Sequence, residues 1–273
     1  MTVQLGKVLA ALDARYDPAL AESWDAVGLV CGDPAEPVRS VLFAVDPTTA
    51  VVDEVVATGA QLLVTHHPLF LTPVHGVPAD DPRGRLVHRL VRAGAALFVA
   101  HTNADRAPGW GVNDALAGAL GLEDAVPLEP SPADPRAGLG RVGRLAEPMT
   151  LRAFAAHAAA ALPATAGGVR AAGDPERTIT TVAVCGGSGG SLLGAAAAAG
   201  ADVLLTSDLK HHPVSDAREV PGPALCDVAH WASEWPWLPV AADRLRRDLD
   251  GAVEVAVSTR RTDPWSLRAD APR

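Results

Sequence analysis

The sequence contains an internal repeat, and this repeat limits the possible folds more than any other feature. Residues 59–66, Gly-Ala-Gln-Leu-Leu-Val-Thr-His, match residues 200–207, Gly-Ala-Asp-Val-Leu-Leu-Thr-Ser. The apolar runs that precede them, residues 41–45 and 182–186, lie at the same offset from each other. In the first copy, two apolar runs flank a helical pattern that ends at Gly59, which predicts a strand–helix–strand unit. Two copies are too few for a solenoid and predict an α/β fold with two structurally similar halves in a pseudo-twofold repeat.

Histidines and carboxylates follow the apolar runs of both halves. His66 and His67 end the second run of the first copy. Further along, the pattern His-x-x-x-carboxylate occurs twice, at residues 101–105 and 230–234, each time after a strand-like run. Because ligands bind at the carboxyl ends of strands in open α/β sheets, we expect the two halves to bring these groups to one central cleft. The candidate metal ligands are His66, His67, Asp105, His230 and Glu234.

This set of side chains predicts transition-metal chemistry. Three imidazoles and two carboxylates suit Zn, Mn, Fe, Co or Ni, whereas Ca and Mg prefer sites made only of oxygen ligands. A catalytic zinc normally has three protein ligands, but five ligands serve two ions if one carboxylate bridges them. We therefore expect two divalent metal ions per subunit. Such a centre lowers the pKa of bound water, which predicts hydrolysis at a carbonyl, amidine or phosphoryl group of a small substrate.

A second polar cluster occupies the corresponding place in the second copy. Residues 206–212 read Thr-Ser-Asp-Leu-Lys-His-His and directly follow an apolar run. Packing does not explain so many polar side chains at the end of a buried strand. Asp208, Lys210 and His212 are therefore predicted to line the site, and His211 is expected to be exposed. Lys210 or His212 would stabilise developing negative charge or transfer a proton.

Two loops allow two interpretations each. Trp24 and Asp25 either cap the site or belong to a turn that Asp25 and Gly28 stabilise. The glycine-rich residues 186–190 follow a predicted strand and precede a helix, which is the geometry of an anion-binding loop. They match neither of the common nucleotide-binding patterns, and a plain tight turn explains the same glycines.

A proline-rich stretch marks the predicted domain boundary. Residues 127–140 carry four prolines and are predicted to be a linker. On this basis a first α/β half comprises residues 1–130 and a second comprises residues 141–260, each with half of the metal site. Residues 261–273 are expected to form a poorly ordered tail.

Charge and composition exclude several classes of function. The net charge of −9 argues against a surface for nucleic acid or for an anionic membrane, because both need a basic face. The longest apolar stretch, residues 192–205, is too short and too interrupted to span a bilayer. The three cysteines lack C-x-x-C spacing, and the N-terminus lacks a signal pattern. These features predict a cytoplasmic protein.

Taken together, the motifs resemble the Nif-three-like family, whose members often carry the label GTP cyclohydrolase 1 type 2 homologue. The matching segments occur in order along nearly the whole chain, at residues 24–29, 65–69, 101–105, 111–114, 206–212 and 230–234. The resemblance implies two similar α/β halves around a dinuclear metal site and assembly into a toroidal homohexamer. It also implies that the five candidate residues are the metal ligands, with Glu234 as the bridge.

Three positions depart from the family's usual pattern. Ala26 stands where asparagine is commoner, and Ser207 and Ala229 stand where glycine is commoner, which affects the expected pocket shape but not the ligands. The large middle domain of longer members is absent. Two functions remain open: a metal-dependent hydrolase of a small cyclic or nucleotide-like substrate, or a non-catalytic metal-binding scaffold, metallochaperone or regulatory interaction protein. No motif in the sequence reads guanine or ribose.

Overall fold

The structure is a computed structural model that describes residues 2–269. Met1 and residues 270–273, the end of the predicted tail, lie outside the described residues. The chain forms two compact units. Unit 1 is drawn from Met1–Trp110 and Leu238–Thr262, and unit 2 from Gly111–Trp237 and Asp263–Arg273.

The described residues form strands and helices that alternate through much of the chain. The strands are β1 (Val3–Gln4), β2 (Gly28–Cys31), β3 (Pro37–Val38), β4 (Ser40–Ala44), β5 (Leu62–Thr65), β6 (Ala96–Val99), β7 (Leu122–Pro130), β8 (Gly138–Thr150), β9 (Val169–Ala172), β10 (Thr178–Val184), β11 (Val203–Ser207), β12 (Ala224–Val228) and β13 (Glu254–Val257). The helices are α1 (Leu5–Asp13), α2 (Thr49–Thr58), α3 (Pro82–Arg92), α4 (Thr102–Arg106), α5 (Val112–Ala119), α6 (Leu151–Ala161), α7 (Leu193–Ala198), α8 (His211–Arg218), α9 (His230–Glu234) and α10 (Trp237–Asp248). Among residues 2–269, none of these helices combines the length and the apolar character needed to cross a bilayer.

Unit 1 is built on a five-stranded sheet with the strand order β13-β4-β5-β6-β2. The strands β13, β4, β5 and β6 run parallel, and β2 is antiparallel to β6. Helix α2 connects β4 to β5 and presents Val51, Val52 and Val55 to the core, where all three are buried. Because β4, β5 and β6 are parallel, the residues that follow them emerge at the same edge of the sheet.

Unit 2 repeats this arrangement in a six-stranded sheet with the order β7-β8-β10-β11-β12-β9. Its central strands β10, β11 and β12 are parallel. The register pairs Val182 with Val203 in unit 2 and Val41 with Leu62 in unit 1. The two pairs are related by the same offset as the sequence repeat. The predicted α/β fold with two similar halves is therefore confirmed.

Strand β9 and helix α8 were not predicted. Strand β9 is a four-residue edge strand that is only partly buried, and α8 presents no buried residue. Neither element therefore carries the apolar periodicity that identifies a strand or a helix in a sequence.

Residues 127–140, the predicted linker, lie in the hairpin of β7 and β8. Pro127 and Pro130 belong to β7, which is an edge strand of the sheet. Proline is tolerated in edge strands because one side of such a strand needs no backbone N–H donors. The bounds of the predicted halves stay a prediction.

An ion pair between a buried arginine and a partly buried aspartate fixes β8 to α5 in unit 2. The Arg141 side chain is 1% exposed, and its Nε and Nη2 donate to the two carboxylate oxygens of Asp114 at 2.6 and 2.8 Å. Its Nη1 donates to the carbonyl oxygens of Gly138 and Gly140, both at 2.8 Å. The guanidinium is thus held by a bidentate, charge-assisted pair and by two backbone acceptors.

Candidate metal centre

Three histidines lie together at the carboxyl edge of the unit 1 sheet. His66 and His67 directly follow β5, and their backbone N–H groups donate to the carbonyl oxygens of Ala44 and Val45 at the end of β4. His101 follows β6 with one residue, Ala100, between them. The His66 ring centroid lies 5.0 Å from that of His67 and 5.1 Å from that of His101. One ring nitrogen from each histidine lies within 4.8 Å of the others, a spacing that could hold a metal ion.

The hydrogen bonds that Nδ1 donates set the tautomer of these histidines. The Nδ1 of His66 donates to the carbonyl oxygen of Ala100 at 3.0 Å. The Nδ1 of His67 donates to Asp46 Oδ1 at 2.6 Å. Carbonyl and carboxylate oxygens only accept hydrogen bonds, so Nδ1 carries the proton and the lone pair lies on Nε2. Metal-binding histidines typically show this arrangement.

Asp25 holds the third histidine. His101 Nδ1 donates to Asp25 Oδ1 at 2.8 Å, and Asp25 also accepts from the backbone N–H of Ala26 at 2.7 Å and of Thr102 at 3.0 Å, and from the Thr102 hydroxyl. Burial opposes ionisation of this carboxyl group, but the donors outweigh burial and hold the pKa of Asp25 well below its ordinary value. Trp24, 56% exposed, lies edge-on to His101 with the ring centroids 6.1 Å apart. Asp25 therefore both stabilises a turn and orients His101.

The predicted ligand Asp105 lies on α4, the single-turn helix that follows His101. Its Oδ1 is 3.7 Å from His66 Nε2. Unit 1 thus brings His66 and Asp105 together and adds His101, which was not among the predicted ligands. The spacing of four residues between His101 and Asp105 was the available signal, because such residues lie on one face of a helix.

The predicted ligands of unit 2 lie on α9. His230 and Glu234 are one helical turn apart, and His230 Nε2 is 2.9 Å from Glu234 Oε1. The Nδ1 of His230 donates to Asp208 Oδ2 at 2.7 Å, so the neutral ring has its lone pair on Nε2, towards the Glu234 carboxylate. Two electron-rich atoms at this distance repel each other unless a proton or a cation accompanies them. The pair therefore fits a cation site.

Asp208 reaches His230 from an unusual backbone conformation. Its φ is +57°, in the left-handed region, directly after β11. Non-glycine residues adopt this region at a cost of roughly 1–3 kcal/mol, and aspartate tolerates it better than most residues. Lys210 and His212 are exposed at the start of α8. Their role in the site stays a prediction.

The backbone N–H groups of the glycine-rich loop after β10 donate hydrogen bonds to side chains of unit 2. Gly186 N donates to Asn113 Oδ1 at 2.9 Å, Gly187 N to Ser233 Oγ at 2.9 Å, and Gly189 N to Thr206 Oγ1 at 2.7 Å. These donors are therefore committed to side chains of the chain itself. Of the two interpretations, the structure supports the tight turn.

Gly187 lies against the predicted ligands of unit 2, Glu234 and His230. Its φ is +66°, and a Cβ atom at this position would lie 2.6 Å from Glu234 Oε1 and 3.1 Å from His230 Nε2. Any side chain would therefore displace the two ligand atoms. The loop needs glycine here for its backbone conformation and for the space that the ligands occupy.

The sequence matches the model of one protein family, Duf34/NIF3 (NGG1p interacting factor 3), over residues 3–264. The chain belongs to the Duf34/NIF3 family. A Streptomyces coelicolor member named GTP cyclohydrolase 1 type 2 homolog is 54% identical over 98% of this chain and 96% of its own length. A Mycobacterium tuberculosis protein of the same name is 39% identical over 100% of this chain and 99% of its own. That alignment spans 379 residues, so the mycobacterial protein contains segments that this 273-residue chain lacks.

Solved structures of Duf34/NIF3 proteins share the fold. A Bacillus cereus protein related to NIF3 superposes with a TM-score of 0.89 at 25% identity, over 97% of this chain and 99% of that chain. A Staphylococcus aureus hypothetical protein gives the same TM-score and coverage at 28% identity. These matches confirm the family resemblance and the fold that it implied.

Replacing Gly187 by alanine in this Duf34/NIF3 chain is expected to weaken divalent-metal binding by about 10- to 100-fold, because the new Cβ displaces Glu234 and His230. The left-handed φ adds roughly 1–3 kcal/mol of destabilisation. Gly200→Ala is the matched control, since Gly200 has a φ of +68° and a Cβ atom added there would meet nothing within 4 Å. Calorimetric titration with Zn²⁺ should show weakened binding only for Gly187→Ala. Equal affinity in both variants would contradict the steric argument.

The low pKa of Asp25 predicts how the stability of the metal-free Duf34/NIF3 chain depends on pH. A carboxyl group whose pKa is lower in the folded state stabilises the fold above its unfolded pKa, near 3.9, and this contribution is lost as the pH falls below that value. The free energy of unfolding of wild type should therefore fall more steeply below about pH 4 than that of Asp25→Asn. Urea denaturation at several pH values measures both slopes, and parallel slopes would contradict the prediction.

Proposed function

We propose that the protein binds two divalent transition-metal ions and hydrolyses a small cyclic or nucleotide-like substrate. The proposed ligands are His66, His67, Asp105, His230 and Glu234, with Glu234 as the bridge and Zn, Mn, Fe, Co or Ni as the metal. One observation carries the proposal. In each unit, a histidine with a hydrogen-bonded Nδ1 directs Nε2 towards a carboxylate oxygen, as His66 does towards Asp105 and His230 towards Glu234.

When bound, two such ions lower the pKa of water and polarise the group under attack. The residues of the chain then have distinct roles. Asp46 orients His67, and Asp208 orients His230, each by accepting a hydrogen bond from Nδ1. Lys210 and His212 are proposed to stabilise negative charge that develops on the substrate. His101, held by Asp25, is proposed as an additional ligand in unit 1.

The name shared by several relatives gives GTP a place among the candidate substrates. A cyclohydrolase opens a ring by adding water to it, and the proposed ligand set suits attack of water on an amidine or carbonyl carbon. Cyclic amides present a carbonyl carbon and phosphoesters a phosphorus atom, and metal-activated water attacks both kinds of centre. We therefore propose these three compound types as the substrates to assay first.

The test starts with the metal. Protein purified without added metal should contain tightly held transition metal by elemental analysis, and anomalous scattering at the metal edges should place two ions at the five ligands. Metal-loaded protein should then turn over at least one of GTP, a cyclic amide or a phosphoester, and chelation should stop the reaction. Protein that holds no transition metal would overturn the proposal.

A second candidate function is a metal-binding interaction protein. The loop between β5 and α3 exposes three apolar side chains, Leu71, Val74 and Val77, and we propose that they form an apolar patch for another protein, since contiguous exposed apolar patches mark such surfaces. We also propose, from the family resemblance, that the chain assembles as a homohexamer. Light scattering should then give six times the 28.0 kDa mass of one chain. Tightly bound metal with no turnover of any of the three compound types would favour this second function.

A further inference from the structure

The segment that follows β13 is fixed to unit 1 at several points. Ser258 donates through its backbone N–H to the carbonyl oxygen of Phe43 at 2.8 Å and through its hydroxyl to Glu54 Oε2 at 2.7 Å. Arg260 Nε lies 3.1 Å from the same carboxylate oxygen, and its backbone N–H donates to Ser258 Oγ at 3.2 Å. We name residues 258–262 the C-terminal strap.

The end of the C-terminal strap contacts the residue that orients His67. The hydroxyl of Thr262 donates to Asp46 Oδ2, and Oδ1 of the same carboxylate accepts from His67 Nδ1. A hydroxyl, a carboxylate and an imidazole thus form one chain of hydrogen bonds. Both oxygens of Asp46 take part in it, so the plane of the carboxylate is set from two sides.

Asp46 depends on hydrogen bonds for its orientation because burial does not fix it. The side chains of Asp46 and His67 are 26% and 23% exposed. A partly exposed carboxylate can rotate and exchange its partners with water. A donor on the opposite oxygen reduces that freedom, because rotation would then break two hydrogen bonds.

We infer that Thr262 is a positioning residue for metal binding, which acts on His67 through Asp46. With Asp46 fixed, the Nδ1 of His67 stays protonated, and its Nε2 keeps both its lone pair and its direction. The inference rests on the proposed function, in which His67 is a metal ligand. It assigns a role in metal affinity to a residue at the far end of the sequence, 216 positions from Asp46.

The C-terminal strap provides its own matched control. Ser258 and Thr262 both donate a hydroxyl hydrogen bond to a carboxylate, but Glu54, the partner of Ser258, belongs to α2, and no described hydrogen bond joins it to a histidine. Ser258→Ala therefore tests the strap as a structural element. Thr262→Val removes the hydroxyl at nearly constant volume, and Thr262→Ser keeps it.

The experiment measures the Co²⁺ affinity of the full chain by competition with a chromophoric chelator, together with the urea stability of the metal-free protein. We expect Thr262→Val to weaken Co²⁺ binding by about tenfold, at the lower end of the effect of losing an outer hydrogen-bond partner. Thr262→Ser should bind Co²⁺ as wild type does. Ser258→Ala should lose stability and keep its Co²⁺ affinity.

Three outcomes would overturn the inference: unchanged affinity in Thr262→Val, failure of serine to restore it, or an equal loss in Ser258→Ala. An equal loss of Co²⁺ affinity in Ser258→Ala would show that the C-terminal strap affects metal binding only as a structural element. Wild-type protein that binds none of Co²⁺, Zn²⁺, Mn²⁺, Fe²⁺ and Ni²⁺ would instead refute the proposed function. The two failures are therefore distinguishable.

Discussion

Replacing Glu234 by glutamine is expected to lower the affinity for divalent metal by at least about 100-fold and to remove hydrolytic activity with it, because loss of an outer partner alone costs about 10- to 100-fold. The Glu234 residue is 2% exposed, and its Oε1 lies 2.9 Å from His230 Nε2. An amide of the same shape removes the negative charge. Its NH₂ group can also donate to Nε2 and so occupy the lone pair that the metal needs.

The same argument predicts that the metal-free Glu234→Gln protein folds normally, since the amide NH₂ can donate to His230 Nε2 and keep the two side chains hydrogen-bonded. Zn²⁺ titration and urea denaturation should therefore give opposite results for this variant: lost binding and retained stability. Glu219→Gln, at an exposed position on the same unit, is the control and should match wild type in both assays. Wild-type affinity in Glu234→Gln would exclude Glu234 as a ligand, and wild-type activity would count against metal-dependent catalysis.

Replacing Arg141 by methionine is expected to lower the free energy of unfolding by about 3–5 kcal/mol, the usual effect of removing one member of a buried ion pair. The substitution leaves the Asp114 carboxylate without its bidentate donor, and it removes the donor to the carbonyl oxygens of Gly138 and Gly140. Urea denaturation measures the loss.

Arg152→Met is the control for this prediction. Arg152 pairs with Glu176 at 3.3 Å, but the two side chains are 70% and 69% exposed. Water and salt screen such a pair, and its loss should change the free energy of unfolding by less than about 1 kcal/mol. Similar losses in the two variants would show that burial does not decide the strength of these pairs.

Much of the fold could be predicted because periodicity and repetition are local properties of a sequence. The runs 41–45 and 182–186 are apolar along their whole length, as parallel strands buried on both faces must be. Strand β9 and helix α8 were not predicted because their side chains stay partly or fully exposed. The turn around residues 186–190 could not be resolved from sequence, because its hydrogen-bond partners, such as Asn113 and Ser233, are distant along the chain.

The candidate site shows the same division between local and tertiary information. The positions of His66 and His230 could be predicted from the strand ends alone, since a polar residue after an apolar run belongs at the edge of a sheet. The carboxylates that set the histidine tautomers could not be recognised. Asp25 and His101 are 76 positions apart, and Asp208 and His230 are 22 apart. Only the folded chain shows which of the many acidic residues meets each imidazole.

Unit 1 is discontinuous, and this has a consequence for its biosynthesis. Its first segment ends at Trp110, but β13 and the C-terminal strap come from Leu238–Thr262. On the ribosome these residues emerge after the intervening segment, a delay on the order of ten seconds at typical elongation rates. Until then the nascent chain exposes the edge of β4, and Asp46 lacks its Thr262 donor. Strand β13 and the C-terminal strap therefore complete unit 1 only after the residues of unit 2 have been synthesised.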